Sequence, residues 1–466
     1  MRRLAIVLLV LALLVTVVAG CSSGVKDTPS DTPKPSTPGQ EEKKDDSDGK
    51  KDDDMPGGGK SYELQVAWWG GEQRNQKMLD MIDKYMDKYP NAKIISQYAP
   101  FTDYFTKLST QAASQTLPDV YMLQLMYLGE YAAKGLAKPL QEFVDAGLID
   151  ISKFTPGALS SSSYEDKLVG ITMGDTASVL CFNKTLIEKA NYSLPTDQMT
   201  YGEFGEFLKG LAKELPEGHY AAGDLARHEF AIENFTRQHG KDGVVTKDGK
   251  ELGYTKEILA DYLKFHLDMY ESGVYGPIEV IMEERGKQWA DSLAGQGKIG
   301  CWFTNVNQGK IFQASIDDEV GMVRFPVADN ATNKYVEAIV CSTWAISSTS
   351  KLPNEAAHFI NEIVNNWELQ EIYDMDIGVP GSTDIQNKLI EQLDPENNKI
   401  DRLKKREIEL MQDILTSVEP FHGRPPGFSA VIDDLYAKAD EVIYGRMTIE
   451  EAVDAHFSAA EMILKQ

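Results

Sequence analysis

Several residues in this chain could do chemistry, but few of them are assembled for catalysis. Adjacent acids stand at Glu165-Asp166, Glu283-Glu284 and Asp433-Asp434. Cleavage of a glycosidic bond needs two carboxyl groups set across a cleft at a defined separation. None of these pairs has an apolar setting, and runs of this kind are expected on solvated helix faces. Ser348-Thr349-Ser350-Lys351 has the Ser-x-x-Lys spacing of an acylating serine. No Ser-Asp-Asn and no Lys-Thr-Gly completes that constellation. There is no His-Glu-x-x-His, no Gly-x-Ser-x-Gly elbow and no EF-hand loop. The seven histidines are scattered, with His228-Glu229 the nearest to a catalytic pair. Gly59-Lys60-Ser61 has the ending of a phosphate-binding loop, but its first glycine would fall on Asp54. Cys181, Cys301 and Cys341 lie in apolar, strand-like runs that predict buried, inert thiols, and no two have metal-ligand spacing.

Other residues suit binding. Trp68 and Trp69 end a strand ahead of Gly70-Gly71, which let the backbone turn tightly. Successive strand residues point to opposite faces, so at most one of the two tryptophans need be core. Arg74 could make a paired contact with a carboxylate or vicinal hydroxyls, or a surface ion pair with an acid such as Glu72.

The elements that must position these residues alternate in kind. Leu64, Val66 and Trp68 alternate with polar residues, and Met78, Met81, Ile82 and Tyr85 recur at helical spacing. A strand at 92–96, a helix at 104–113 and a strand at 119–123 follow. This order predicts a parallel sheet covered by helices, which binds ligands at the carboxyl ends of its strands. Further strands are expected at 168–173, 179–184, 299–303 and 335–346, with a hairpin between Asp242-Gly243 and Asp248-Gly249. Helices are expected at 201–215, 256–272, 354–366, 402–415 and 449–464. The chain has 466 residues, 42% hydrophobic and 26% charged, which is globular composition. Lys+Arg 47 against Asp+Glu 72 gives a net charge of −25, which repels phosphate backbones and argues against nucleic-acid binding. Four cysteines cannot make a disulfide framework.

The amino terminus reads as an address. Arg2 and Arg3 precede an apolar run over 4–18, then Ala19-Gly20-Cys21. This is the layout of a secretory signal over 1–20, too short for a membrane span. Val18-Ala19-Gly20-Cys21 resembles the bacterial lipobox, which makes Cys21 the lipidated (palmitate-bearing) first residue of the mature chain. Two acyl chains hold a soluble domain at a membrane surface. Residues 21–60 are Ser, Thr, Pro, Gly, Lys and Asp, expected to form a disordered tether.

Motifs in order along residues 61–466 carry a family resemblance. They are Trp68-Trp69-Gly70-Gly71 with Arg74, Tyr89-Pro90, Pro118-Asp119-Val120, and Gly135-Leu136-Ala137-Lys138-Pro139-Leu140. After them come Gly170-Ile171-Thr172 leading to Phe182-Asn183-Lys184, Lys247-Asp248-Gly249-Lys250, Lys298-Ile299-Gly300-Cys301-Trp302, and Gly445-Arg446-Met447-Thr448. Together they resemble family 1 extracellular sugar-binding proteins of ABC importers. The resemblance implies an α/β, two-lobed periplasmic-binding-protein-like fold with three hinge crossings and a ligand cleft between lobes. Crossings would fall near 172–175, 335–340 and 376–380. Lobe 1 is then 61–172 plus 338–376, and lobe 2 is 173–337 plus 377–466. It also implies a monomer that binds a mono- or oligosaccharide outside the plasma membrane and delivers it to ABC permease subunits, without cofactor, metal or turnover.

Sugars present apolar faces and a rim of hydroxyls, so aromatic platforms and planar polar groups recognise them. The resemblance implies ligand contacts from Trp68, Trp69, Arg74, Tyr104, Gln124, Tyr127, Asp175, Trp302, Trp344 and Arg424. Leu125 and Met126 depart from the polar or aromatic residues the family often has there. Arg74 hints at a uronic-acid-containing ligand, with neutral oligosaccharides equally open. A secreted glycosidase or lyase, or a cell-surface adhesin, are the other readings of the same chain.

Overall fold

Leu64, Val66 and Trp68 are fully buried on one face of β1 (Tyr62–Trp69) while Glu63 and Gln65 are exposed, as the alternating sequence dictates. The computed structural model describes residues 56–465, apart from 198, 229, 335, 338, 418–424 and 426. Cys21, the signal segment, the tether up to residue 55 and Arg424 lie outside the described residues. β1 leads into α1 (Glu72–Lys88), which buries Met78, Met81, Ile82 and Tyr85 at three- and four-residue spacing. β2 (Ala92–Ala99), α2 (Phe101–Ala113), β3 (Val120–Gln124) and α3 (Leu125–Ala133) repeat the unit. Both β2 and β3 pair with β1 in parallel.

A short hairpin of β4 (Ser163–Tyr164) and β5 (Lys167–Leu168) precedes β6 (Ile171–Asn183), all of whose 13 residues are buried. Two separate strands were expected here. One strand serves instead because it belongs to two halves of the sheet. Its first part pairs with β10 (Ile339–Ile346), from Ile171↔Trp344 to Ala177↔Ile339. Its second part is flanked by β8 (Ile299–Asn305) and β9 (Val320–Arg324). β7 (Tyr220–Ala222) lies parallel to β8. The order is β2-β1-β3-β10-β6-β8-β7, with β9 also on β6.

Two cores follow from this division. The first gathers Trp68, Tyr85, Tyr121, Trp344, Phe359 and Tyr373, and the second gathers Phe204, Tyr262, Phe303 and Phe325. The chain passes between them along β6 and again before β10, while Val379 bridges Asp175 beside β6 and the buried residues that follow stay in the first core as far as Leu415. Helix Lys399–Ser417 packs on β9 and also on helix Pro156–Ser161, so it lies across both halves, although its expected place was with the second. Thr200 with Glu203, and Thr448 with Glu451, form reciprocal capping boxes that fix two helix starts.

Candidate functional site

A cavity of about 1330 Å³ lies between the two cores. One wall is α3 with the β4–β5 hairpin, and the other is Glu233, the 242–247 loop and the start of helix Phe428–Ile443. Ligand pockets for drug-sized molecules run to about 300–1,000 Å³, so this one is roomy enough for several linked rings. Apolar surface comes from Met126, Tyr127, Tyr164 and Phe428, and among the described residues the polar lining contains five carboxylates and two lysines.

Local structure explains how each group is held. Glu165 and Asp166, with φ of 47° and 60°, form the two-residue tip between β4 and β5. This contradicts the helix-face expectation, because the Ser163↔Leu168 pairing turns the chain back on itself. Opposite, buried Glu233 accepts a hydrogen bond from the Val244 amide at 2.8 Å. A Cβ on Gly243 (φ +120°) would stand 2.1 Å from Glu233 Oε1, so only glycine lets the 242–247 loop close over that carboxylate. Tyr127 stacks on Phe105 at 3.8 Å, and Phe101 abuts Trp69 edge-on at 5.7 Å. These aromatics gather beyond the carboxyl ends of β1 and β3, where Phe101 and Met126 are each 36% exposed.

Of the residues expected at the site, the structure places Tyr127 in the cavity wall and takes most others elsewhere. Trp68 is fully buried, its indole N–H donating to Asn75 Oδ1 at 3.0 Å and its ring stacked on Tyr98. Trp69 is buried beneath Phe101, Tyr104 and Phe105. Arg74 is committed to Asp376, Nε to Oδ2 at 2.5 Å, so it is a structural ion pair and not a ligand clamp. The Tyr104 hydroxyl donates to the Met122 carbonyl at 2.8 Å and accepts from its amide, which makes it a core bolt. Gln124 is half-buried at the end of β3, opposite Ser342, outside the cavity wall. Trp344 is fully buried in β10. Trp302 packs against Trp289 and Phe312, and lines a separate cavity of about 200 Å³ with Asp224, Arg227 and Arg285. Strand alternation explains it, since Cys301 and Phe303 take the face toward the second core.

Asp175 is buried where β6 meets the 377–379 segment. Its amide donates to Val379 O at 2.8 Å, and the Val379 amide donates back at 2.9 Å. Cys341 of β10 sits opposite on the other side. A Cβ on Gly378 would come within 2.6 Å of Asp175 O, so glycine allows the crossing strands to touch. Burial pushes the Asp175 carboxyl up to about 7, opposed in part by the Ser161 hydroxyl donating to Oδ1 at 3.0 Å. Burial likewise raises the thiols of Cys181, Cys301 and Cys341.

Sequence reasoning missed Tyr164, Glu165, Asp166 and Phe428 as wall residues. The signal available for the first three was a two-residue turn between short strand-forming runs. Among the described residues, no group of three or more His, Cys, Asp or Glu could hold a metal, and no helix is long and apolar enough to cross a membrane.

Comparison with known proteins bears on the same region. The bacterial extracellular solute-binding protein family matches residues 80–399. A galactooligosaccharide-binding protein of Bacillus subtilis is 22% identical over 310 residues, covering 65% of this chain and 69% of that protein. A maltotriose-binding protein of Pyrococcus abyssi is 23% identical over 127 residues, a stretch that spans 27% of this chain and 27% of that relative. Among solved structures, a family 1 extracellular solute-binding protein from Alicyclobacillus acidocaldarius shares the fold. Its TM-score is 0.75 at 23% identity, over 87% of this chain and 99% of that one.

Proposed function

This chain belongs to the bacterial extracellular solute-binding proteins, and we propose that its cleft captures a neutral oligosaccharide for delivery to an ABC permease. The observation that carries the reading is the cavity between the two cores, faced with tyrosines and carboxylates. Aromatic faces suit the apolar sides of sugar rings, and carboxylates accept hydrogen bonds from hydroxyls. Among the described residues five carboxylates against two lysines make the wall unfavourable to a uronic acid, and Arg74, which hinted at an anionic ligand, is occupied by Asp376. The printed names of the two curated relatives, which bind galactooligosaccharide and maltotriose, support the same ligand class.

The mechanism is closure. Lobes divided near residues 172, 338 and 376 pivot about the crossings at Asp175, and a ligand touching both walls favours the closed state by its differential affinity. In this reading Cys21 carries the lipid anchor left by the signal segment, the tether reaches from the outer face of the plasma membrane, and the protein acts as a monomer without turning over its ligand. The test is calorimetric titration with maltotriose, galactotriose and trigalacturonic acid, with the sugars assayed afterwards. Stoichiometric binding of an intact neutral sugar supports the reading. Consumption of the sugar transfers the case to a secreted carbohydrate-active enzyme, and absence of heat with all three sinks the carbohydrate assignment.

A further inference from the structure

The carboxylates in the cleft wall are not equivalent. Glu130 is paired with Lys134 at 2.5 Å, Glu233 accepts from the Val244 amide, and Asp242 accepts from the Lys247 amide. Glu165 and Asp166 have no hydrogen bond or ion pair among the described residues, and both are exposed in the wall. They also occupy the two positions of a tight hairpin turn that demand left-handed backbone. Asn-Gly or Asp-Gly makes such a turn with least strain, and side chains such as glutamate resist it. The chain therefore keeps two strained, uncommitted carboxylates where a turn-forming pair would fold more readily. Strain retained at a ligand wall motivates a functional explanation.

We propose that Glu165 and Asp166 are the specificity determinant of the cleft: they accept hydroxyl hydrogens of a neutral sugar chain and reject uronic acids by charge. This rests on the reading of the cleft as a carbohydrate site. Tyr164 lies beneath the tip with its ring over Gly129, where an added Cβ would be 3.5 Å away. The hairpin thus presents an apolar platform and two acceptors from one short element. A carboxylate accepting from hydroxyls makes charge-assisted bonds, stronger than those of neutral groups.

The experiment replaces the tip in the full chain with Asn-Gly (Glu165→Asn with Asp166→Gly), which preserves the turn and removes both charges. Asp166→Asn alone serves as the near-isosteric control. Affinity for maltotriose and galactotriose, affinity for trigalacturonic acid, and melting temperature are read for all three proteins. The expected result is a melting temperature equal to or above the parent's, with neutral-sugar affinity down about tenfold or more and discrimination against trigalacturonic acid weakened. Asp166→Asn should lose a smaller part of both. If the parent binds a neutral sugar and the Asn-Gly tip leaves affinity and discrimination unchanged, the tip is only a turn and the inference fails alone. If the parent binds no sugar, or prefers trigalacturonic acid, the reading of the cleft falls and this inference with it.

Discussion

Replacing Asp175 with asparagine should stabilise the protein at alkaline pH and hardly at all in acid. The carboxyl is fully buried at the strand crossings, with Oδ1 bonded to Ser161 and Oδ2 without a partner among the described residues. Its neighbours are hydroxyl, thiol and apolar: Ser161 from helix Pro156–Ser161, Cys341 from β10, and Ile377 to Val379 beside β6. Burial raises the folded-state value to about 7 from 3.8. Between those values the folded chain holds a proton that the unfolded chain has released, so stability falls as pH rises through the window and is level above it. From pH 5 to 8 about two units of that window are crossed, at ~1.4 kcal/mol each, or ~3 kcal/mol. Asparagine carries no such proton and keeps an oxygen for Ser161. Glu407, also pushed up to about 7 by burial, titrates in both proteins and cancels from the difference. The assay is urea unfolding of parent and Asp175→Asn at half-unit intervals from pH 5 to 8.5. A stability difference that stays constant over that range would refute the reasoning, because it would mean that the carboxyl does not change its charge on folding.

Other variants separate packing from binding. Arg74→Met should lower stability by about 1–2 kcal/mol through the half-buried Asp376 left behind, with sugar affinity unchanged by calorimetry. Trp302→Ala should cost about 3–5 kcal/mol in chemical unfolding, the loss expected of a core tryptophan, and should leave the cleft's selectivity intact. Tyr164→Ala should weaken neutral-sugar binding several-fold for the loss of a stacking face worth about 1 kcal/mol, with little change in melting temperature. The thiols of Cys181, Cys301 and Cys341, buried and held in the unreactive form, should resist a disulfide reagent at pH 8 until the protein is unfolded.

The sequence made the architecture legible where one physical rule dominated. Alternation located β1, three- and four-residue spacing located α1, and the same periodicity over 449–464 located the last helix to the residue. The order of strands and helices at 62–124 correctly announced a parallel sheet. Site residues were less legible because aromatic and charged types serve packing as readily as recognition. Trp68 and Trp344 look like platforms until their full burial is seen, and Arg74 looks free until Asp376, 302 residues later, is brought to it. The hairpin tip was hidden for the opposite reason. Two adjacent acids suggest a solvated surface before they suggest a turn, and the only hint was the short strand-forming runs on either side, which the backbone angles bear out. The unity of β6 was also invisible, since a strand buried on both faces has no alternation to mark its middle.

The placement of β10 sets a timetable. Strand β3 and the first part of β6 each leave one edge open until β10 arrives between them, and Gln124 pairs with Ser342. Those partners are 342 − 124 = 218 residues apart, and synthesis at about 5–20 residues per second separates their appearance by roughly 10–45 s. Throughout that interval β2, β1 and β3 can pair with one another but cannot be joined to β6. A chain with this wiring cannot complete its sheet until β10 has been made, and a protein that is threaded through a membrane before it folds has use for such a delay.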